Sequence, residues 1–191
     1  LINDVLDLSK LEAGQMDFVL ERTDFTALCR DVTRIFHPLM DSKKLYGRLE
    51  IQKGLPLLYV DKLRMRQILF NLIGNAVKFT DKGGWTLSVG FAVGTEAEEG
   101  TLTIVVTDTG VGMDAGEQSA LFEPFVQSKR LRGSHAANNG TGLGLAICRR
   151  MLQKMDGRIA VASRPGEGTA FTVELEHVRF SREAPPAVVI P

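Results

Sequence analysis

Between Asp61 and Thr80 the sequence predicts one long helix whose two faces need different surroundings. Met65, Leu69, Leu72, Ile73 and Ala76 make an apolar stripe at helical spacing, and such a stripe needs a second layer to bury it. Asn71, Asn75 and Lys78 lie on the opposite face, within about 60° of one another around the axis. A solvated face would ordinarily carry Glu, Lys and Gln, because Asn is a poor residue in mid-helix. Two amide oxygens one turn apart suit a hard cation such as Mg2+, which takes oxygen ligands and shares phosphate oxygens with its substrate. A lysine one turn further along suits phosphate. On its own the stripe is equally compatible with a plain polar face.

The rest of the chain supplies the layer that the helix needs. Strands are expected around Asp17–Leu20, Leu49–Gln52 and Thr86–Val93, and the β-branched run Leu102–Thr107 reads as a buried strand. Two more fit Arg158–Ser163 and Ala170–Leu175, joined by a turn at Pro165–Gly168. Further helices are expected over Asp24–Asp41, Ala115–Leu121 and Gly142–Met155. The pattern predicts an α/β fold, a sandwich with helices on one face of a sheet.

Two glycine turns stand where this architecture would expose backbone. Asp108-Thr-Gly-Val-Gly-Met113 follows the buried strand directly. Gly110 and Gly112 allow close approach of a ligand, and a carboxylate accepts hydrogen bonds without donating them. Asp108 therefore suits the exocyclic amino group of adenine and disfavours the carbonyl of guanine, although an Asp-x-Gly turn is common. Gly140-Thr-Gly-Leu-Gly-Leu-Ala-Ile147 runs three alternate glycines into a helix start, where unpaired N–H groups attract anions. Its spacing is neither that of the dinucleotide fingerprint nor that of the P-loop.

Charge is distributed unevenly. The 191 residues hold 23 Lys+Arg and 23 Asp+Glu, a formal net charge of +0, which argues against a general coat for nucleic acid. Yet from Pro124 to Met155 there are six cations and no Asp or Glu, a local balance of +6. The aperiodic, basic segment Gln127–Asn139 has the composition of a lid over a polyphosphate. It lacks aromatic residues for stacking bases, so no nucleic-acid partner is expected. A hydrophobic share of 44%, two cysteines (Cys29 and Cys148) and no bilayer-length apolar run fit a cytoplasmic location, with any membrane anchor upstream.

Both ends resemble cuts. Leu1, Ile2, Val5, Leu6, Leu8 and Leu11 follow helical spacing with no cap before them, and Gly14 is a fitting stop. Glu183–Pro191 reads as an extended linker. The expected organisation is therefore a helical stub over 1–14, one domain over 15–180 and a linker over 181–191.

With these motifs in order, the sequence resembles the ATP-binding catalytic domain of two-component sensor histidine kinases, over roughly Gln15 to Glu176. Asn71–Thr80 resembles the asparagine box, Asp108–Met113 the first glycine box, Leu121–Gln127 the phenylalanine box and Gly140–Ile147 the second glycine box. Leu1–Gly14 is similar to the end of the dimerisation and histidine-phosphotransfer helix. The resemblance implies a Bergerat-type fold, a two-layer sandwich of a mixed sheet and three main helices, shared with gyrase, heat-shock chaperones and mismatch-repair ATPases. It implies ATP and Mg2+ as cofactors, with Asn75 as the metal ligand and Asn71, Asn75 and Lys78 as the catalytic set. The nucleotide-binding set adds Phe79, Asp108, Gly110, Gly112, Met113, Gly140, Thr141, Gly142, Leu143 and Gly144.

Members of that superfamily that hydrolyse ATP carry a Glu four residues before the metal Asn. Here the position is Asn71, an amide without useful basicity, so the γ-phosphoryl is expected to be kept for another nucleophile. None of His37, His135 and His177 matches the family's phosphoacceptor motif, which is expected upstream of Leu1. The partners implied are the dimerisation/histidine-phosphotransfer domain of the same protein, in an intact homodimer, and the receiver domain of a response regulator. A degenerate ATP sensor without phosphotransfer is the alternative, and a gyrase-type ATPase is disfavoured by Asn71. The lid departs from the family in being basic rather than serine-rich.

Overall fold

The computed structural model describes residues 2–95, 98–126 and 141–181. In chain order the elements are α1 (Ile2–Glu12), β1 (Glu21–Thr23), α2 (Phe25–Arg34), α3 (His37–Lys43), β2 (Tyr46–Ile51), β3 (Leu57–Val60) and α4 (Lys62–Phe79). Then follow β4 (Gly84–Val93), β5 (Glu99–Asp108), α5 (Ala115–Ala120), α6 (Gly144–Lys154), β6 (Gly157–Arg164) and β7 (Gly168–Ser181). The expected α/β sandwich with a mixed sheet is what the chain forms. The seven strands run in the order β1-β3-β7-β5-β4-β2, with β6 also on β7. β2 and β4 are parallel and the other pairs antiparallel. Among the described residues, no helix is long and apolar enough to cross a membrane.

Strand alternation builds one side of the core. Trp85, Leu87, Val89 and Phe91 of β4 face inward, as do Leu102, Ile104 and Val106 of β5 and Phe171, Val173 and Leu175 of β7. They pack with Met65, Ile68, Leu69, Leu72 and Ile73 of α4, Leu28 and Val32 of α2, and Ile147, Met151 and Leu152 of α6. The inward series of β5 continues to Asp108, and that of β7 begins at Thr169. Both polar residues are therefore buried by the same periodicity that buries their apolar neighbours.

Three local expectations differ from the structure. The strand expected at Asp17–Leu20 lies instead at Glu21–Thr23, paired with β3, a short strand the sequence reading omitted. Val19 N–H is taken by Asp61 Oδ2 at 2.8 Å, not by a neighbouring strand. The single helix expected over Asp24–Asp41 is two helices. α2 ends near Ile35 and α3 begins at His37, where Pro38 occupies the first turn and cannot donate into a preceding helix.

α1 is docked on the helical layer. Leu8 and Leu11 are buried, Gln67 Nε2 donates to Asp7 Oδ2 at 2.8 Å, and Arg150 meets Glu12 at 2.7 Å.

Candidate functional site

α4 is fixed at both ends before it presents anything to a ligand. Asp61 caps its start, accepting from Arg64 N–H at 2.9 Å. At its other end Lys43 Nζ, from α3, donates to the carbonyls of Val77, Lys78 and Thr80 at 2.9, 3.2 and 2.8 Å. A cation there satisfies carbonyls that a helix end leaves open and opposes the negative end of its dipole. The residues between, Asn71, Asn75, Lys78 and Phe79, are all half-buried beside the fully buried stripe.

The middle and the C-terminal end of α4 touch the two glycine turns. Midway along, Asn71 Nδ2 donates to Gly144 O and to Cys148 Sγ, both at 3.4 Å, across to α6. At the C-terminal end, the Phe79 carbonyl accepts Val111 N–H at 3.2 Å, and a side chain on Gly110 would collide with that same carbonyl. Eight residues separate these contacts, about 12 Å of helix. Asn75 and Lys78 occupy the span. The Asn75 side chain makes no hydrogen bond among the described residues. The Lys78 ammonium sits 5.0 Å over the Phe79 ring, and burial lowers its pKa from the ordinary lysine value. An arriving phosphate would favour the charged form that burial disfavours.

Asp108 ends β5 opposite Thr169 of β7 and is 6% exposed. Its Oδ1 accepts from Gly110 N–H at 2.8 Å and from Thr169 N–H at 3.2 Å. Oδ2 makes no hydrogen bond among the described residues and is the acceptor left over. Burial pushes the carboxyl pKa above its ordinary value, and the two N–H groups pull it back.

The loop behind Asp108 is held from several directions. Gly112 has φ +62°, and a side chain there would run into the Arg164 carbonyl, so both conformation and space require glycine. Met113 N–H donates to Ser163 Oγ at 2.8 Å, and Gln118 Nε2 bridges Met113 O and Ser163 O at 3.2 and 3.0 Å. Sequence reading missed the residues that complete this wall, Ser163, Gly168 and Thr169. Ser163 Oγ lies 3.0 Å from Thr169 Oγ1 and donates to Gly168 O at 2.8 Å. The signal available was a Gly-Thr pair opening a strand that is otherwise apolar on its inward face.

In the second glycine motif, Gly140 and the lid 127–139 lie outside the described residues, as does His135. Gly142 takes φ +70°, and its carbonyl accepts Phe125 N–H at 3.0 Å. Thr141 Oγ1 accepts from Leu143 N–H at 3.2 Å and donates to Asp4 Oδ2 of α1 at 3.1 Å. Leu143 buries its side chain fully in the core, so it faces away from solvent while anchoring the start of α6. Gly144 differs from Gly142. A methyl added to it would rest 3.4 Å from the Asn71 amide, an ordinary contact. Of the other histidines, His37 is exposed at the start of α3, and His177 is exposed and 3.3 Å from Glu99.

The arrangement is a cradle between α4, α6 and the ends of β5 and β7, with an acceptor at one end and a glycine-opened helix start at the other. A family model described as histidine kinase-, DNA gyrase B-, and HSP90-like ATPase matches residues 60–179, and the chain belongs to that family. Within it the likeness is to sensor histidine kinases. The chain is 38% identical over 193 residues to the virulence sensor protein BvgS of Bordetella bronchiseptica, covering 98% of this chain and 15% of BvgS. It is 39% identical over 178 residues to the sensor histidine kinase RcsC of Escherichia coli, covering 92% of this chain and 18% of RcsC. Among solved structures, full-length ShkA in complex with AMPPNP matches at TM-score 0.79 and 31% identity, over 95% of this chain and 36% of ShkA. The chain thus spans less than a fifth of BvgS and RcsC. The matched stretch contains every candidate site residue and excludes α1 to α3.

Proposed function

We propose that this chain binds Mg–ATP in the α4 cradle and delivers the γ-phosphoryl to a histidine of a dimerisation/histidine-phosphotransfer domain, for onward signalling to a response regulator. The observation that carries the reading is the placement of α4. One helix brings an amide to the second glycine turn and its last carbonyls to the first, which supports a base reader and a phosphate site served by the same helix. Asp108 Oδ2 accepts from the adenine amino group, Lys78 neutralises phosphate, and the backbone at Gly142 and Gly144 approaches it closely.

A magnesium ion fits the donor set, since Asn75 offers a half-buried amide with no other hydrogen bond among the described residues, and its oxygen is hard enough for that ion. When bound, the ion would neutralise charge on the β- and γ-phosphates. The protein's own part is positioning. The imidazole nitrogen of the acceptor attacks phosphorus as the bond to the β–γ bridging oxygen breaks, and ADP leaves. Asn71 accepts no proton, so water bound beside it is not activated and the phosphoryl group waits for the histidine.

The test is to mix the protein with Mg2+, γ-labelled ATP and a separate dimerisation domain carrying its histidine. Label stable to base and labile to acid should accumulate on that domain. Binding of ATP without any label would leave a nucleotide sensor, and steady phosphate release at several turnovers per minute would make the protein an ATPase.

A further inference from the structure

The Asn71 amide has two unlike ends, and its nitrogen end meets α6. Gly144 and Cys148 are one helical turn apart on α6 and meet Asn71 together. A carbonyl only accepts, so Nδ2 has to turn toward Gly144 O; the reversed amide would set two oxygens against each other. The Gly144 bond is stretched, since N–H to carbonyl distances centre on about 2.9–3.0 Å. The same 3.4 Å to the larger sulfur atom is an unstretched contact, which gives Cys148 the better-placed acceptor. Cys148 is fully buried, and burial pushes its thiol up to about 12, so it stays a neutral thiol with no nucleophilic role. Cys29 is equally buried but has no hydrogen bond to a site residue among the described residues.

We propose that Cys148 is a positioning residue for the phosphate end of the site: its thiol sulfur, with the Gly144 carbonyl, holds Asn71 Nδ2 so that Oδ1 is the atom presented to the ligand. This rests on the nucleotide-binding reading above, and the experiment separates the two. Cys148→Val fills the same apolar space without an acceptor, and Cys148→Ser restores one. Isothermal titration should show Mg–ATP binding weakened about fivefold in the Val variant and within about twofold of wild type in the Ser variant. Adenosine alone should bind all three alike.

The side-chain amide resonance of Asn71, identified by its loss in Asn71→Asp, should exchange slowly with water in wild type and Ser and quickly in Val. If Val does not fold, Cys148→Ala answers the same question. Equal Asn71 exchange in wild type and a folded Val or Ala variant overturns the proposal, as does equal weakening by Ser and Val. If wild type fails to bind Mg–ATP, the nucleotide reading falls, while the resonance still decides the orientation of Asn71.

Discussion

The two glycine turns that α4 touches are built on opposite plans. The first, Asp108–Met113, is braced by Thr169, Ser163 and Gln118, by the Phe79 carbonyl, and by close packing on Arg164. Its partners belong to the sheet, α5 and the end of α4, and among the described residues they leave Asp108 Oδ2 without a hydrogen bond. The second turn is held at Thr141 by Asp4 of α1, at Gly142 by Phe125, and at Gly144 by Asn71. Each of those partners lies on a separate element. On the proposed reading, base recognition falls to a turn braced by the sheet, and phosphate handling to a junction of α1, α4, α6 and the phenylalanine segment. A change in α1 would reach the second turn without disturbing the first.

The largest expected contrast is between glycines. Gly112→Ala should cost about 2–4 kcal/mol in denaturant unfolding, because a left-handed conformation and a backbone collision are both forced. Gly144→Ala should stay within about 1 kcal/mol of wild type, since its methyl meets only ordinary contact. Equal costs would erase the distinction between the turns.

Next is Asp108→Asn. Oδ1 of the Asn keeps both backbone bonds, so the fold should survive, but Oδ2 becomes a donor. ATP affinity should fall about ten- to hundredfold by calorimetry, with relative preference moving toward GTP. Unchanged affinity would remove Asp108 from the site.

The pH dependence sharpens the same point. Adenine binding favours the carboxylate, so ATP affinity should be full above the raised pKa of Asp108 and fall as pH drops through it. Stability runs the other way. The native state holds this proton more tightly than the unfolded chain, so the Asp108 contribution becomes more favourable as pH falls through the folded pKa. Asp108→Asn should abolish its share of both trends in matched titrations.

The smallest effect belongs to the second turn. Asp4→Ala removes the partly exposed bond to Thr141, whose loss should cost less than about 1 kcal/mol in stability. It should nevertheless raise hydrogen exchange at Thr141–Gly144, leaving Gly110–Met113 unchanged.

What the sequence disclosed follows the same division. α4, β4, β5 and the helix after Gly142 were legible because periodicity and glycine placement are local signals. The break at His37 was missed although Pro38 signals it, because helical spacing on both sides masked it. β3 is four residues long and acquires its identity only by pairing with β1 and β7, which composition does not reveal. In the site, Asn71, Asn75 and Asp108 stood out as residues whose chemistry conflicts with their position. Thr169 and Cys148 did not, because an inward Thr and a core Cys look ordinary until the fold sets them beside Asp108 and Asn71.

The most direct measurement is an amide NMR titration of the intact chain with adenosine, then with Mg–ATP. Adenosine should shift Gly110, Gly112 and Thr169 and leave Thr141, Gly142 and Gly144 in place, while Mg–ATP shifts both groups. Shifts at Gly142 and Gly144 with adenosine alone, or none there with Mg–ATP, would contradict a groove that reads the base at one turn and holds the phosphates at the other.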